Sequence, residues 1–289
     1  MHDAAACCQL ALLLELSTTP KPGLVDRYSR VSEFPHFLAS SAVLHRHFIR
    51  VASSGGRGLG RLVAEACADM LSWQRGGNTH LGSILLLLPL AASFPRVERI
   101  SDIRAALHDL LVGMDYRDTL EIFKAIRMVS PGGLGRVAYL DVNDEKTFRR
   151  IVGERISVTE ALSPYRNFDI VAHEYTTDYE ASYTHGYMFL RSQVDKGLEA
   201  NEAGVNTFLN ILANMHDTHV ARRHGRTAAR LLSNMAKRVL EAGGASTHDG
   251  RTLLVELCLK VRWAGYKPGS TADLLAAAFC MLLIDGWRP

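Results

Sequence analysis

The chain has 289 residues, of which 47% are apolar and 22% charged, and a formal net charge of +3. That length can bury a sizeable core and the mixture is that of an ordinary soluble protein. The charge is too mild to argue for nucleic acid, though it is compatible with anionic small molecules. Five cysteines, Cys7, Cys8, Cys67, Cys258 and Cys280, are odd in number and lack C-x-x-C spacing, so neither a disulfide framework nor a zinc ribbon is suggested and a reducing cytoplasm is expected.

Helical periodicity runs through nearly the whole chain, with almost no alternating strand pattern. It predicts helices near 3–17, 36–53, 57–74, 79–93, 101–112, 118–129, 146–161, 168–194, 203–223, 227–242, 248–264 and 271–285. Gly, Pro and Asn clusters separate them, and no linker is long or biased enough to mark a boundary. One all-α domain of about a dozen helices over 1–289 is expected, with 131–145 as the least regular segment.

In the first helix the apolar run Ala4 to Leu16 has no Lys or Arg before it and carries Glu15, the pattern of a buried helix and not of a signal peptide. Behind it stands S-T-T-P-K-P-G-L-V-D-R, residues 17–27. Pro20 and Pro22 fix φ and hold Lys21 on a stiff non-helical segment, while Gly23 allows a turn or a close approach. A plain Pro-Gly helix stop reads equally well from these residues alone. The G-G-R-G-L-G run at 55–60 follows a helix where a dinucleotide fingerprint would follow a strand, and no Walker A pattern occurs.

Gly76-Gly77-Asn78-Thr79-His80 opens the helix 79–93, where Asn78 or Thr79 can cap and free N–H groups can meet an anion. The longest apolar run, Ile84 to Ala92, contains Pro89 and falls short of the roughly 20 residues of a membrane span. Projected onto a helix over 168–194, Glu174, Asp178 and His185 fall within about 40° of one another, a face suited to solvent or to a hard cation such as Mg²⁺.

On a helix over 203–223, Asn206, Asn210 and Asp217 share one face in the same way. The apolar stripe of Val205, Leu209 and Leu212 continues into His216, His219 and Arg223, so a core face turns polar, as at the wall of a cleft or at a frayed end. Ser246 or Thr247 caps the next clear helix and Gly265 stops it. Lys267-Pro268-Gly269-Ser270-Thr271-Ala272-Asp273 opens the last one; Ser270 with Asp273 makes a capping-box-like start, and the loop is also a phosphate-binding candidate.

Taken together, T-P-K-P-G-L-V-D-R, G-N-T-H-x-G at 77–82, M-H-D-T-H at 215–219 and P-G-S-T-A-D-L-L-A at 268–276 resemble the triphosphoribosyl-dephospho-CoA synthases, from about residue 10 to residue 285. The resemblance implies a helical enzyme that transfers the triphosphoribosyl group of ATP to the 2′-hydroxyl of 3′-dephospho-CoA and releases adenine. It implies cations for the phosphates (Lys21, Arg27, Arg222 and Arg223, with Asn78, Thr79 and Ser270 beside them) and Glu174, Asp178 and Asp217 around Mg²⁺. Asp217 or Asp26 would serve as base, and His80 or His219 would protonate the departing adenine. Neither nucleic acid nor membrane is expected as a partner, and nothing sets the oligomeric state.

The chain departs from the family pattern at Leu81, where a lysine is usual, and around D-T-H-V-A-R-R-H-G at 217–225. That divergence leaves room for a related transfer in the synthesis of another cofactor, such as a methanopterin, for a hydrolase, or for a nucleotide-binding protein without turnover.

Overall fold

The computed structural model describes residues 3–289, and among them every regular element is helical. Two compact units form, one of residues up to Gln9 with His36–Tyr179 and one of Leu10–Pro35 with Glu180–Pro289. The division crosses α1 (Ala4–Ser17) and the first residues of α2 (Phe34–Ser54), so no composition shift marks it.

The first unit holds α3 (Leu59–Ser72), α4 (Leu81–Ser93), α5 (Ile103–Val112), α6 (Tyr116–Val129), α7 (Glu145–Glu154), α8 (Val158–Leu162) and α9 (Ile170–Thr177). Its centre is α4, which is buried on every side, as an L-L-L-L-P-L-A-A sequence without a polar face requires. Pro89 inside that helix has no N–H for the carbonyl of Leu85, one turn back. The Tyr175 hydroxyl of α9 donates to that carbonyl at 2.7 Å, and Tyr179 donates to Leu86 O at 2.9 Å. Burial pushes the Tyr175 phenol well above the ordinary tyrosine range, so it stays a donor.

The G-G-R-G-L-G run has a packing role. Gly60 opens α3 directly against α6: a Cβ there would come within 2.5 Å of the Asp118 backbone, and its N–H donates to Asp118 Oδ1 at 2.8 Å.

The second unit holds a π-helical segment Ser182–Tyr187, α10 (Met188–Asp195), α11 (Ala200–Asn214), α12 (Thr218–His224), α13 (Arg226–Glu241), α14 (His248–Ala264) and α15 (Gly269–Ile284). Helix α15 is its buried centre; Gly186 and Gly204 bring neighbouring backbone against Ala278 and Phe279 of that helix. Thr247 caps α14 and Gly265 ends it at φ 69°, as the sequence predicts.

Three predicted helices are broken. The helix expected over 146–161 divides at Arg155, which has φ 54°. The helix expected over 168–194 ends at Thr177, followed by Asp178 at φ 54° and Tyr179 at φ 58°, so the common face of Glu174, Asp178 and His185 does not exist as projected. The helix expected over 203–223 stops at Asn214, and Asp217 starts a new one as its N-cap.

Candidate active site

In the second unit Asp217 is 2% exposed and holds the starts of two helices at once. Its Oδ1 accepts the N–H of Val220 in α12 at 2.8 Å, and its Oδ2 accepts both the N–H and the hydroxyl of Thr271 in α15 at 2.9 Å. An anion at each helix N-terminus satisfies amides that lack an intrahelical partner and faces the positive end of the dipole. Burial nevertheless pushes this carboxyl above the usual aspartate range, against those donors and the nearby His219.

Ser270, expected to cap its own helix, does not: α15 starts at Gly269 without a side-chain cap. The Ser270 hydroxyl turns to α12 instead, accepting the His219 N–H at 3.1 Å and meeting the Thr218 hydroxyl at 2.8 Å. The hydroxyl is buried beside α12, where it satisfies an orphan amide of that helix.

His219 Nδ1 lies 2.8 Å from the Lys267 carbonyl. A carbonyl only accepts, so Nδ1 carries the proton and a neutral ring keeps its lone pair on Nε2. Burial is the main cause that holds the imidazole below its usual range, joined by Arg222 and Arg223. The loop carrying Lys267 is held from both sides. A Cβ on Gly23 would strike the Tyr266 carbonyl at 2.3 Å, and the His224 ring packs against Tyr266 at 4.9 Å between centroids, tilted by 60°. Burial, then the charges of Arg30 and Arg223, push the Lys267 ammonium below the ordinary lysine range, with Glu33 opposing. Among the described residues neither Lys267 nor Arg223 has a carboxylate within ion-pair distance, and Arg27 is exposed and likewise unpaired.

The turn behind α1 carries two buried charges. Lys21 is ion-paired with Glu15, six residues earlier, and follows a cis Thr19–Pro20 peptide. Burial pushes the Glu15 carboxyl up while Lys21 opposes that shift. Asp26 accepts the N–H groups of Tyr28 and Ser29 through Oδ1 at 2.8 and 2.7 Å, whereas its buried Oδ2 has no hydrogen-bond partner.

The first unit places the other expected residues. Asn78 Oδ1 accepts the Leu81 N–H at 3.1 Å and so caps α4, while the Thr79 hydroxyl meets Ser40 at 2.7 Å. His80 is buried, its Nε2 facing the Phe37 carbonyl at 3.3 Å and the Ser41 hydroxyl at 3.2 Å. Leu81, where the resemblance would put a lysine, is packed at 6% exposure. Glu174 is fully buried, and Asp178 meets His108 Nδ1 at 3.0 Å with about a third of its side chain exposed. Among the described residues no three His, Cys, Asp or Glu side chains converge as a ready cage for a metal ion.

A carboxylate-hinged pair of helix starts and a histidine with one nitrogen directed by a carbonyl thus stand together in the second unit of a helical protein. The CitG family model, ATP:dephospho-CoA triphosphoribosyl transferase, matches residues 1–289, and the chain belongs to that family. A Pseudomonas aeruginosa protein assigned as 2-(5''-triphosphoribosyl)-3'-dephosphocoenzyme-A synthase is 28% identical over 291 residues, covering 94% of this chain and 87% of its own length. A Pseudomonas fluorescens protein of the same assignment is 29% identical over 293 residues, covering 95% of this chain and 88% of its own. The crystal structure of an Archaeoglobus fulgidus protein, assigned as a triphosphoribosyl-dephospho-CoA synthase, superposes with TM-score 0.68 at 27% identity, over 87% of this chain and 100% of that one.

Proposed function

We propose that this transferase moves the triphosphoribosyl group of ATP onto the 2′-hydroxyl of 3′-dephospho-CoA at a site that includes the junction of α12 and α15. The observation that carries the assignment of roles is His219. With Nδ1 donating to Lys267 O and the ring held neutral, Nε2 is a base, so His219 takes the proton from the acceptor hydroxyl. This replaces the expected role of acid toward adenine. The acceptor oxygen forms a bond to the anomeric carbon, the bond from that carbon to adenine breaks, its electron pair leaves with adenine, and adenine takes up one proton from solvent while His219 returns the acceptor's proton to solvent. Positive charge grows on the ribose as that bond opens, as in other glycosidic cleavages.

Asp217 then acts through others: it orients the α12 start that carries His219 and the Thr271 end of α15. Arg222 and Arg223 serve the phosphates, Arg27 stands on the same unit's surface as a further contact, and Asn78 and Thr79 remain candidates in the first unit. Lys21, paired with Glu15, reaches a phosphate only by exchanging that partner, and Asp26 keeps one unpartnered oxygen as the alternative base. Mg²⁺ is expected to enter with the triphosphate, since it commonly uses only one or two protein carboxylates and otherwise phosphates and water. Asp178, in the first unit and part exposed, is the most accessible of the three expected ligands. An odd number of cysteines without C-x-x-C spacing supports the reducing cytoplasm as the proposed compartment; among the described residues no helix is long and apolar enough to cross a membrane.

The test is adenine release from ATP with Mg²⁺, followed chromatographically with and without 3′-dephospho-CoA. Acceptor-dependent adenine together with a product heavier by one triphosphoribosyl group is the expected result. Adenine without acceptor would show hydrolysis, and no adenine from folded protein that binds ATP would remove the proposed acceptor.

A further inference from the structure

We infer that Lys267, Arg223 and Arg30 form one polyphosphate seat in the second unit, with Lys267 at its centre. Three segments meet there. The turn after α1 presses Gly23 onto the Tyr266 carbonyl, the end of α12 packs His224 against the Tyr266 ring, and the next residue, Lys267, carries the ammonium. Its backbone is fixed as well, since its carbonyl receives His219 Nδ1 at 2.8 Å.

The charge balance of the cluster is the second observation. Arg30 is ion-paired with Glu33, and no carboxylate pairs with Lys267 or Arg223 among the described residues. The charges of Arg30 and Arg223 bear on the Lys267 ammonium and those of Arg222 and Arg223 on His219; Glu33 offsets part of this at Lys267, and the remaining cations still crowd a half-buried lysine. Such crowding opposes folding unless an anion relieves it, and a chain of phosphates spreads negative charge over several cations at once. A monoanion would answer only one of them.

The inference rests on the transferase reading only for the source of the polyphosphate, which is either the triphosphate of ATP or the diphosphate of 3′-dephospho-CoA. The experiment uses wild-type protein and inorganic tripolyphosphate. Lysines are acylated with an amine-selective reagent, and the modified positions are read by mass spectrometry with and without the ligand. Lys267 is expected to be protected by tripolyphosphate; acylation of Lys267 at an unchanged rate under saturating tripolyphosphate overturns the proposal. Repeating the protection with ATP and with 3′-dephospho-CoA identifies the source, and protection by neither also overturns it.

In parallel, Lys267→Met should weaken tripolyphosphate binding about tenfold or more by calorimetry, Lys267→Arg should retain it within a few-fold, and Arg57→Met in the first unit should change nothing. Wild-type affinity in a folded Lys267→Met protein would contradict the seat. Lys267-dependent tripolyphosphate binding without adenine release would leave the seat standing and reject the transferase reading. Adenine release with an unprotected Lys267 would do the reverse.

Discussion

At the scale of single residues, Asp217 and His219 were both visible in M-H-D-T-H, but their roles were not. Asp217 looks like a metal ligand or base in the sequence; its three donors come from Val220 and, across more than fifty positions, from Thr271. In Asp217→Asn one amide group would face donors it cannot accept from. We expect about 1–3 kcal/mol lost in urea unfolding and a loss of adenine release that follows the misplaced His219. The sequence offers Lys21 as a cation for phosphate, while its partner Glu15 lies inside an apolar helix, where a charge suggests only burial. Lys21→Met strands that carboxyl and should cost about 3–5 kcal/mol, measured by the same unfolding. The loop that begins at Lys267 is a phosphate-binding candidate in the sequence, but its neighbours Arg223 and Arg30 are not, because nothing in local spacing links positions 30, 223 and 267. His219 also carries a pH signature. Burial keeps its folded-state pKa below the unfolded value of about 6.5, so the unfolded chain takes up the proton first. That contribution is complete above about pH 6.5 and is lost as the pH falls through it. His47, also shifted down by burial, adds with the same sign. Asp217 and Glu15, whose carboxyls burial pushes up, act with the opposite sign, so the signature is read as a difference: between pH 8 and pH 5 His219→Gln should lose less stability on acidification than the wild type.

At the scale of elements, the sequence located nearly every helix but not three of the breaks between them. At two of them the reason is backbone: Arg155 and the Asp178–Tyr179 pair end helices in left-handed conformation without a glycine, and a non-glycine residue does not advertise positive φ; at the third, Met215 is extended and Asp217 caps a new helix. Pro89 posed the opposite problem, since a proline inside an apolar run can read as a helix end. Here the helix continues because Tyr175, a long way along the chain, supplies the missing donor to Leu85 O. Tyr175→Phe should cost about 1–3 kcal/mol in unfolding free energy by leaving a buried carbonyl unpaired. In a Pro89→Ala background the alanine N–H can take over that carbonyl, so the same Tyr175→Phe change should cost much less. Equal costs in both backgrounds would show that the hydroxyl does not serve this carbonyl.

At the scale of the whole molecule, all-helical architecture was legible from periodicity alone, because both buried helices, α4 and α15, lack a polar face and their neighbours show one. The family was legible from four motifs in order, and its model spans residues 1–289. The division into two compact units was not, since it runs through α1 and no linker accompanies it. A ligand that binds only the folded chain raises its stability by mass action, about 2.7 kcal/mol at a hundred times the dissociation constant. ATP or tripolyphosphate should thus raise the melting temperature of the wild type, and by less in Lys267→Met; equal shifts would mean that the ligand sits elsewhere. The shared cap at Asp217 also bears on the speed of binding. Because α12 and α15 already have their first amides satisfied by Asp217 and Ser270, a phosphate chain arriving there need not wait for a loop to order. Association in a stopped-flow experiment should be a single fast phase, proportional to ligand concentration and slowed by salt, as charge-steered encounter with a ready-made surface requires.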